Sequence, residues 1–257
     1  MKLATWNVNS LKVRLPQVLD WLQAHSPDAL CLQETKTTDE GFPFADLEQA
    51  GYRAIHNGQK TYNGVAIVYH GDALEVVRNI PGLADEQKRV IAATLGDTRV
   101  ISAYMPNGQE VGSDKYAYKL DWLVALTAWL RDELQRWPRL ALLGDFNIAP
   151  EDRDVHDPQA WYERILCSSA ERAAFRELLA LGLADAFRCF EQPEKSYSWW
   201  DYRMLGFQKN RGMRIDHILI SDALKPLARA CAIDRGPRKN RQPSDHAPVI
   251  VTLDMPR

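Results

Sequence analysis

Two polar side chains follow an apolar run in the stretch LLGDFNIAP, residues 142–150. Asp145 and Asn147 flank Phe146 just after the run ends. Because side chains two residues apart on an extended chain point to the same side, the carboxylate and the amide are expected to project together from a strand end. Phe146 then points the other way and is predicted to lie in the core. Two polar groups that project together from a strand end make it a candidate functional position.

Five further stretches place polar residues beside apolar strands. They are TWNVNS with Asn7 and Asn9, LCLQETK with Glu34 and Lys36, ISAYMPNG with Tyr104 and Asn107, RIDHILIS with Asp216 and His217, and PSDHAPVIV with Asp245 and His246. A single polar residue at a strand end is more often a turn or a cap than a functional group. Loops at the edge of a sheet, however, are where sites are usually built. Six clusters of similar residue types therefore indicate one shared site.

The residue types favour a hard metal ion and phosphate-ester chemistry. Carboxylates and amides without a ligating cysteine suit Mg²⁺ or Mn²⁺ better than Zn²⁺. The chain has neither a Gly-rich phosphate loop nor a GxSxG motif, which argues against a nucleoside-triphosphate enzyme and an α/β-hydrolase. A metal ion, a histidine paired with a carboxylate and a further aspartate as base are the components of metal-assisted phosphodiester hydrolysis.

The elements that must position these residues are strands joined partly by helices. The apolar runs of strand length are Leu3–Trp6, Ala29–Leu32, Gly64–Tyr69, Val90–Leu95, Val100–Tyr104, Ala141–Leu143, Ile215–Ile220 and Val249–Leu253. Helical periodicity covers Arg14–His25 and Lys119–Leu134, and a third helix is predicted after the capping-box pair Ser168 and Glu171. Short turns such as Gly96–Asp97 imply antiparallel pairs, whereas helical connections allow parallel ones. The prediction is an α/β protein of two packed mixed sheets with helices outside.

The composition constrains the class of partner that the protein binds and the cellular compartment in which it is expected. Of the 257 residues, 46% are hydrophobic and 26% are charged, which is typical of a globular protein and argues against intrinsic disorder. The net charge of −2 means that nucleic-acid binding would depend on local basic patches or a bound cation. The four cysteines form no CxxC pair, and no apolar stretch reaches the length of a membrane span. A cytoplasmic protein of one domain, residues 1–257, is predicted.

The motifs also carry a family resemblance. TWNVNSL, LCLQETK, YMPNG, LLGDFNIAP, YSWWDYR, RIDHILIS and PSDHAPV resemble the ordered motifs of the exonuclease III family of AP endonucleases, within the endonuclease/exonuclease/phosphatase superfamily. GDFN and SDHAP are typical of the superfamily, while QETK, WWDYR and NRGMRIDHIL are typical of its DNA-repair branch. The resemblance covers essentially the whole chain. It implies a four-layered α/β sandwich, two mixed sheets face to face with helices outside, and a site at one edge.

The resemblance also implies roles for single residues. Glu34, Asn7 and Asp245 match the residues that bind the catalytic Mg²⁺, for which Mn²⁺ is a substitute, and Asn9 lies close enough to contribute. Asp145 matches the aspartate that orients or deprotonates the attacking water.

The remaining catalytic roles concern the phosphate. Asn147 would hold the same oxygens as Asp145, and Tyr104 and Asn107 would donate hydrogen bonds to the scissile phosphate. Asp216 and His246 match a carboxylate–histidine pair whose cation would stabilise charge on the phosphate. His217 should point to the other face of its strand and is predicted to be a core or surface residue.

Substrate contacts are expected in an apolar pocket and in basic loops. Trp199, Met213 and Ile215 match the pocket that receives a flipped-out abasic sugar, whereas Trp200 is predicted to be a core residue. The candidate phosphate contacts are Lys209, Arg211 and Arg214, followed by the basic loop with Arg235, Arg238, Lys239 and Arg241.

These features favour a monomeric Mg²⁺-dependent DNA-repair nuclease. It would cleave duplex DNA 5′ to abasic sites and act as a 3′–5′ exonuclease and 3′-phosphatase or 3′-phosphodiesterase. The first alternative is a 3′-end-cleaning specialist with weak abasic-site cleavage, decided by the loop 152–168. A small-molecule phosphatase of the same superfamily is a second, although NRGMRIDHIL counts against it. A non-catalytic DNA-binding module is disfavoured, because Glu34, Asp145, Asp216, Asp245 and His246 are all present.

Overall fold

The computed structural model describes residues 1–255. Within them, two six-stranded sheets lie between helices. The strands are β1 (Lys2–Asn7), β2 (Ala29–Gln33), β3 (Arg53–Asn57), β4 (Val65–Tyr69), β5 (Ala73–Arg78), β6 (Val90–Leu95), β7 (Thr98–Tyr104), β8 (Leu140–Asp145), β9 (Leu183–Asp185), β10 (Asp216–Ser221), β11 (Ala228–Ile233) and β12 (Val249–Leu253). The α-helices are α1 (Leu11–His25), α2 (Phe44–Gln49), α3 (Asp114–Arg136) and α4 (Ser169–Ala180). None of the helices in this described part is long and apolar enough to cross a membrane.

Both sheets are mixed, as predicted. The first has the strand order β11-β12-β1-β2-β4-β3 and the second β5-β6-β7-β8-β10-β9. In each sheet one central pair is parallel, β1 with β2 and β7 with β8, and the other pairs are antiparallel. Parallel neighbours need a crossover connection, which α1 supplies in the first sheet and α3 in the second.

Four layers result because both faces of both sheets are apolar. Leu3 and Ile67 of the first sheet pack against Val100, Leu143 and Ile218 of the second in one buried cluster between the sheets. The outer faces are covered separately. Between the first sheet and α1, Trp6 and Leu30 of the strands pack against Val18 and Leu22 of the helix. Between the second sheet and the helices α3 and α4, the cluster includes Leu142, Phe146, Trp122, Leu126 and Phe175. Strands buried on both faces read as continuous apolar runs, which is why the central strands could be predicted.

The strands absent from the prediction are the four sheet edges, β3, β5, β9 and β11. Each has partly exposed positions or is only three residues long, so no apolar run marks it. Helix ends also differ: α1 begins at Leu11 and α3 extends over Asp114–Arg136. Ser113 caps α3 by accepting a hydrogen bond from the Tyr116 amide. The predicted capping box of Ser168 and Glu171 is confirmed at α4.

One glycine controls how closely β7 and β8 approach. A Cβ atom at Gly144 would lie 1.8 Å from the carbonyl oxygen of Ala103 on the neighbouring strand. Only a residue without a side chain allows this pairing. The register that follows sets Tyr104 beside Asp145, and Asp145 pairs with Asp216 on β10.

Candidate active site

The predicted clusters meet at one edge of the sandwich, and Asn7 joins the two sheets there. Its side-chain nitrogen donates to Glu34 Oε1 and to Asp145 Oδ2, both at 2.9 Å. Glu34 follows β2 of the first sheet, whereas Asp145 ends β8 of the second. The Asn7 oxygen accepts from the Asn9 amide at 2.9 Å, which fixes the orientation of the group. Asn7 therefore orients two carboxylates from different sheets.

Asp145 and Asn147 are neighbours, but a turn rather than strand geometry places them. Asn147 has φ of +50°, so the chain leaves the extended conformation. Its amide nitrogen donates to Asp145 Oδ1 at 2.9 Å, an Asx-type turn. The Asn147 side chain accepts from Asn107 Nδ2 at 3.1 Å. Phe146 is fully buried against the helices, which confirms the prediction for this residue.

A buried histidine–aspartate pair lies beside Asp145. His246 Nδ1 is 2.9 Å from Asp216 Oδ2, and its Nε2 is 3.7 Å from Asp145 Oδ2. Ser198, which sequence analysis did not single out, donates to Asp216 Oδ2 at 2.7 Å. Its hydroxyl also accepts from the amides of Ile215 and Asp216. Polarity alone gave no signal for Ser198 within the motif YSWWDYR.

Burial and mutual interaction shift both titrating groups. Burial lowers the pKa of His246, but the carboxylates of Asp216 and Asp145 outweigh it and raise this pKa to about 10. Burial raises the pKa of Asp145 to about 7, against the opposing effect of His246. At neutral pH the imidazole is therefore a cation, and Asp145 is poised to exchange a proton.

The donor set fits a hard divalent cation. Ligand atoms of Glu34, Asp145 and His246 lie within 4.8 Å of one another. The His246 ring is cationic and hydrogen-bonded to Asp216, so the carboxylate oxygens are the atoms that could coordinate an ion. Carboxylate oxygens suit Mg²⁺ or Mn²⁺. Lys36 Nζ lies 2.8 Å from Glu34 Oε2 and donates to Asn9 Oδ1 at 2.6 Å. This lysine was quoted within LCLQETK, but sequence analysis gave it no role.

Asp245 lies on the far side of Asn9. Its carboxylate accepts from Asn9 Nδ2 and from Trp199 Nε1, both at 2.9 Å. Burial opposes ionisation, but His246 and these hydrogen bonds hold the pKa of Asp245 below its ordinary value. The ligand roles expected of Asn7, Asn9 and Asp245 remain predictions.

Tyr104 pairs with Asp145 at the end of β7, and Asn107 lies in the loop that follows. Burial, together with Glu34 and Asp145, holds the pKa of Tyr104 well above its ordinary value, so the hydroxyl keeps its proton and can donate. The Arg89 guanidinium lies 4.9 Å from the centre of the Tyr104 ring. Asn107 is exposed and joined to Asn147.

The three residues expected to form an apolar pocket are in contact, but the protein itself fills that space. Met213 is 0% exposed and Ile215 is 2% exposed. They pack with Val155 and Leu166 in a buried cluster, and Trp199 alone is partly exposed. Trp200 is fully buried, as predicted.

The expected basic contacts divide into two groups. Lys209 and Arg211 are exposed, and so are Arg235, Lys239 and Arg241. Arg214, in contrast, is 1% exposed, and its guanidinium lies 2.7 Å from Asp154 and 2.8 Å from Asp185. Two carboxylates distant in sequence therefore bury Arg214, and its expected contact with DNA remains a prediction. Arg238 is also buried and donates to the Ser244 carbonyl.

His217 is a core residue, and its burial predicts that the protein loses stability in acid. Its Nε2 donates to the Ile148 carbonyl at 2.9 Å, and Nδ1 accepts from Arg214 at 3.0 Å. Burial and the Arg214 charge lower the pKa of His217 to about 4. The unfolded chain binds this proton near pH 6.5, so stability should fall as the pH drops from about 6.5 to 4, by up to about 3 kcal/mol.

Denaturant unfolding at several pH values checks this expectation. His217→Gln removes the titrating group, so its unfolding free energy should fall less steeply over that range than that of the wild type. Equal slopes for the two proteins would contradict the assignment.

Comparisons with known proteins agree with this geometry. The profile of the Endonuclease/Exonuclease/phosphatase family matches residues 4–246. The chain is 35% identical to exodeoxyribonuclease III of Haemophilus influenzae, over 97% of this chain and 98% of that protein. A solved structure of the 3′ phosphatase NExo from Neisseria, bound to a product DNA hairpin, is 48% identical with a TM-score of 0.98, covering 99% of this chain and 100% of that one. An AP endonuclease from Archaeoglobus fulgidus is 36% identical with a TM-score of 0.95, at 99% and 100% coverage.

Proposed function

The chain belongs to the endonuclease/exonuclease/phosphatase family, and we propose that it hydrolyses phosphate esters beside 3′ oxygens in duplex DNA. It is an exodeoxyribonuclease III-type nuclease of the DNA-repair kind. The substrates proposed are DNA with abasic sites, incised on the 5′ side, and DNA with blocked or recessed 3′ ends. The proposed ion is Mg²⁺, with Mn²⁺ as a substitute, and the proposed active form is a monomer.

The observation that carries the proposal is a proton acceptor beside a buried cation: His246 Nε2 lies 3.7 Å from Asp145 Oδ2. Asp145 has a pKa of about 7, while His246 is held as an imidazolium by Asp216. A phosphate placed against both groups would have its attacking water near Asp145 and its developing charge near His246. A divalent ion held beside Glu34 and Asp145 would supply further polarisation of the phosphate.

Tyr104, Asn107 and Asn147 would hold the phosphate in place. The Tyr104 hydroxyl keeps its proton, and the side-chain amides of Asn107 and Asn147 are hydrogen-bonded to each other. Donors fixed by packing before the substrate arrives lose little free energy to reorganisation during the reaction. All the reactions proposed here break a phosphate ester next to a 3′ oxygen, so one site can serve each of them.

A 3′-end-cleaning specialist is the second candidate, and the filled pocket favours it. Leu166 is 4% exposed and packs among Met213, Ile215 and Trp199. Its φ is +71°, a left-handed conformation that is costly for a branched side chain. A leucine held there occupies the space in which an abasic sugar is expected. A terminal 3′ phosphate needs no such space.

Leu166→Gly therefore predicts a change of substrate preference. Glycine adopts the left-handed conformation without strain and opens the cluster. We expect incision at abasic sites to rise at least about tenfold relative to 3′-phosphate release, which is about 1.4 kcal/mol in differential transition-state binding. Leu205→Gly, at an exposed leucine with φ of +57° outside this cluster, is the matched control. An unchanged ratio of the two activities would contradict this role for Leu166.

The proposal as a whole is tested with two end-labelled duplexes. One carries a single abasic-site analogue and the other a nick ending in 3′ phosphate, each incubated with Mg²⁺ or with EDTA. Incision 5′ to the lesion, lost in EDTA, would establish abasic-site cleavage. Phosphate release without incision would establish the 3′-end specialist. No action on either duplex would contradict the DNA-repair proposal and bring the small-molecule phosphatase forward.

A further inference from the structure

A buried lysine outside the reaction centre contacts two of its loops. Lys119 of α3 is 0% exposed. Its ammonium donates to the carbonyl oxygens of Asn147, at 2.7 Å, and Asn107, at 3.2 Å. The third partner is the carboxylate of Glu171, which is also fully buried. An ammonium group has three N–H donors, so these acceptors satisfy it completely.

Glu171 connects this ammonium to the start of α4. Its other oxygen accepts from the Ser168 hydroxyl and amide, at 2.6 and 3.1 Å, within the capping box. The Lys119-side oxygen also accepts from the Leu166 amide at 3.1 Å. The pair therefore ties α3, the beginning of α4 and the loop 152–168 together. A buried ion pair of this kind persists only when its remaining hydrogen bonds are made, as they are here.

The aliphatic part of Lys119 also supports the Asn107 loop. Gly108, at φ of +87°, lies so close that a Cβ there would be 3.0 Å from Lys119 Cδ. Lys119 thus touches the Asn107 loop through both its stem and its ammonium. The side chains of the two asparagines that it joins are hydrogen-bonded to each other at 3.1 Å.

We propose that Lys119 is a positioning residue that sets the separation of the Asn107 and Asn147 side-chain amides. The inference rests on the proposed function, in which those amides hold the scissile phosphate. Lys119 does not touch the phosphate. Its effect passes through the two backbone carbonyls, which would drift apart without a shared donor. A displacement of about 1 Å in such groups is enough to cost about 10²-fold in rate.

The test compares Lys119→Met with Arg99→Met. Arg99 forms a buried ion pair with Glu133, 2.6 Å long, between β7 and α3 and away from the site. Both substitutions remove the nearest cation from a buried carboxylate and should destabilise the fold, although Glu133 keeps Arg136 at 4.0 Å. We expect Lys119→Met to lower kcat on the 3′-phosphate duplex about 10²-fold and Arg99→Met to lower it less than about twofold. Equal losses in the two variants would overturn the proposal.

A double variant separates the positioning effect of Lys119 on the two loops from its effect on the stability of the fold. Replacing Lys119 with methionine and Glu171 with glutamine removes the two charges together and keeps an acceptor oxygen for the Ser168 hydroxyl and amide. The two loop carbonyls still lose their donor, so kcat should remain low although the Tm lies above that of Lys119→Met. Recovery of wild-type kcat in this variant would contradict the inference.

A double-mutant cycle of Lys119→Met and Asn147→Ala tests whether Lys119 affects kcat through the side-chain amides. In that background Lys119→Met should lower kcat less than about threefold, because the group it positions is gone. A full further loss would overturn the proposal.

The Asn107 and Asn147 side-chain amide resonances provide a readout without activity. We expect both to shift in Lys119→Met and in the double variant, and neither in Arg99→Met. If the wild type does not cleave DNA, the proposed function fails while these resonances still decide the positioning role.

Discussion

Asp145→Asn is expected to abolish most hydrolysis of both DNA substrates while leaving the protein folded. Asparagine keeps the shape of the side chain and can still accept the Asn147 amide at the Oδ1 position. It cannot take a proton from water, and it carries no charge toward a cation. Loss of the general base alone predicts a fall in kcat of about 10²- to 10⁴-fold. Quenched-flow or gel assays of the labelled duplexes in Mg²⁺ measure it.

The same substitution should change the stability of the fold little. Because burial raises the pKa of Asp145 to about 7, above its value of about 4 when unfolded, the ionised carboxylate opposes folding at higher pH. Without metal at pH 8, Asp145→Asn removes this charge but also loses the hydrogen bond from Asn7 Nδ2, so its unfolding free energy should stay within about 1 kcal/mol of the wild type. Asp222→Asn, an exposed carboxylate after β10, is the matched control and should change neither property. Wild-type turnover by the Asp145 variant would remove this residue from the mechanism.

Gly144→Ala should cause the largest loss of stability of any single methyl group added to this chain's central strands. The new Cβ would meet the Ala103 carbonyl oxygen at 1.8 Å and its carbonyl carbon at 2.8 Å. Both atoms belong to the backbone, so no rotation of a side chain relieves the contact. We expect the unfolding free energy to fall by more than about 4 kcal/mol, in the range that single substitutions rarely reach. Chemical denaturation, monitored by circular dichroism, measures it.

Gly96→Ala is a control that measures the cost of losing a glycine without the steric contact expected at Gly144. Gly96 lies in the β6–β7 turn at φ of +60°, with no atom within 4 Å of the new Cβ. Only the backbone preference is then lost, which costs about 1 kcal/mol. Similar losses at the two positions would show that the approach of β7 to β8 is not what requires Gly144. Any folded Gly144→Ala protein should also lose activity, because Tyr104 and Asp145 are paired by that register.

The central strands and the main site residues could be predicted because their signals are local. Leu142 and Leu143 face opposite sides of a sheet that is covered on both faces, so the run is apolar throughout. The edge strands β5 and β11 lack this signal because much of each is exposed. At the site, residue type and position beside a strand were enough to single out Glu34 and Asp145.

The residues that could not be predicted depend on partners far away in the chain. Arg214 belongs to a basic stretch, and only the fold shows that Asp154 and Asp185 bury it. Lys119 begins the helical pattern Lys119–Leu134, and nothing in that pattern indicates its partners, the loops of Asn107 and Asn147. The adjacency of Asp145 and Asn147 was predicted from strand geometry, whereas a turn produces it.

Asn7 hydrogen-bonds to one carboxylate from each sheet, so the reaction centre is divided between two separately hydrogen-bonded layers. Its halves are kept in register by the apolar contact between the layers and by a few hydrogen bonds across it, such as that from Gln33 Nε2 to Ser102 Oγ at 3.2 Å. Heating that loosens this contact by an ångström would separate Glu34 from Asp145 while every strand remained paired. Enzymatic turnover should therefore disappear on warming before the far-ultraviolet circular dichroism changes, and its loss would report slippage between the sheets.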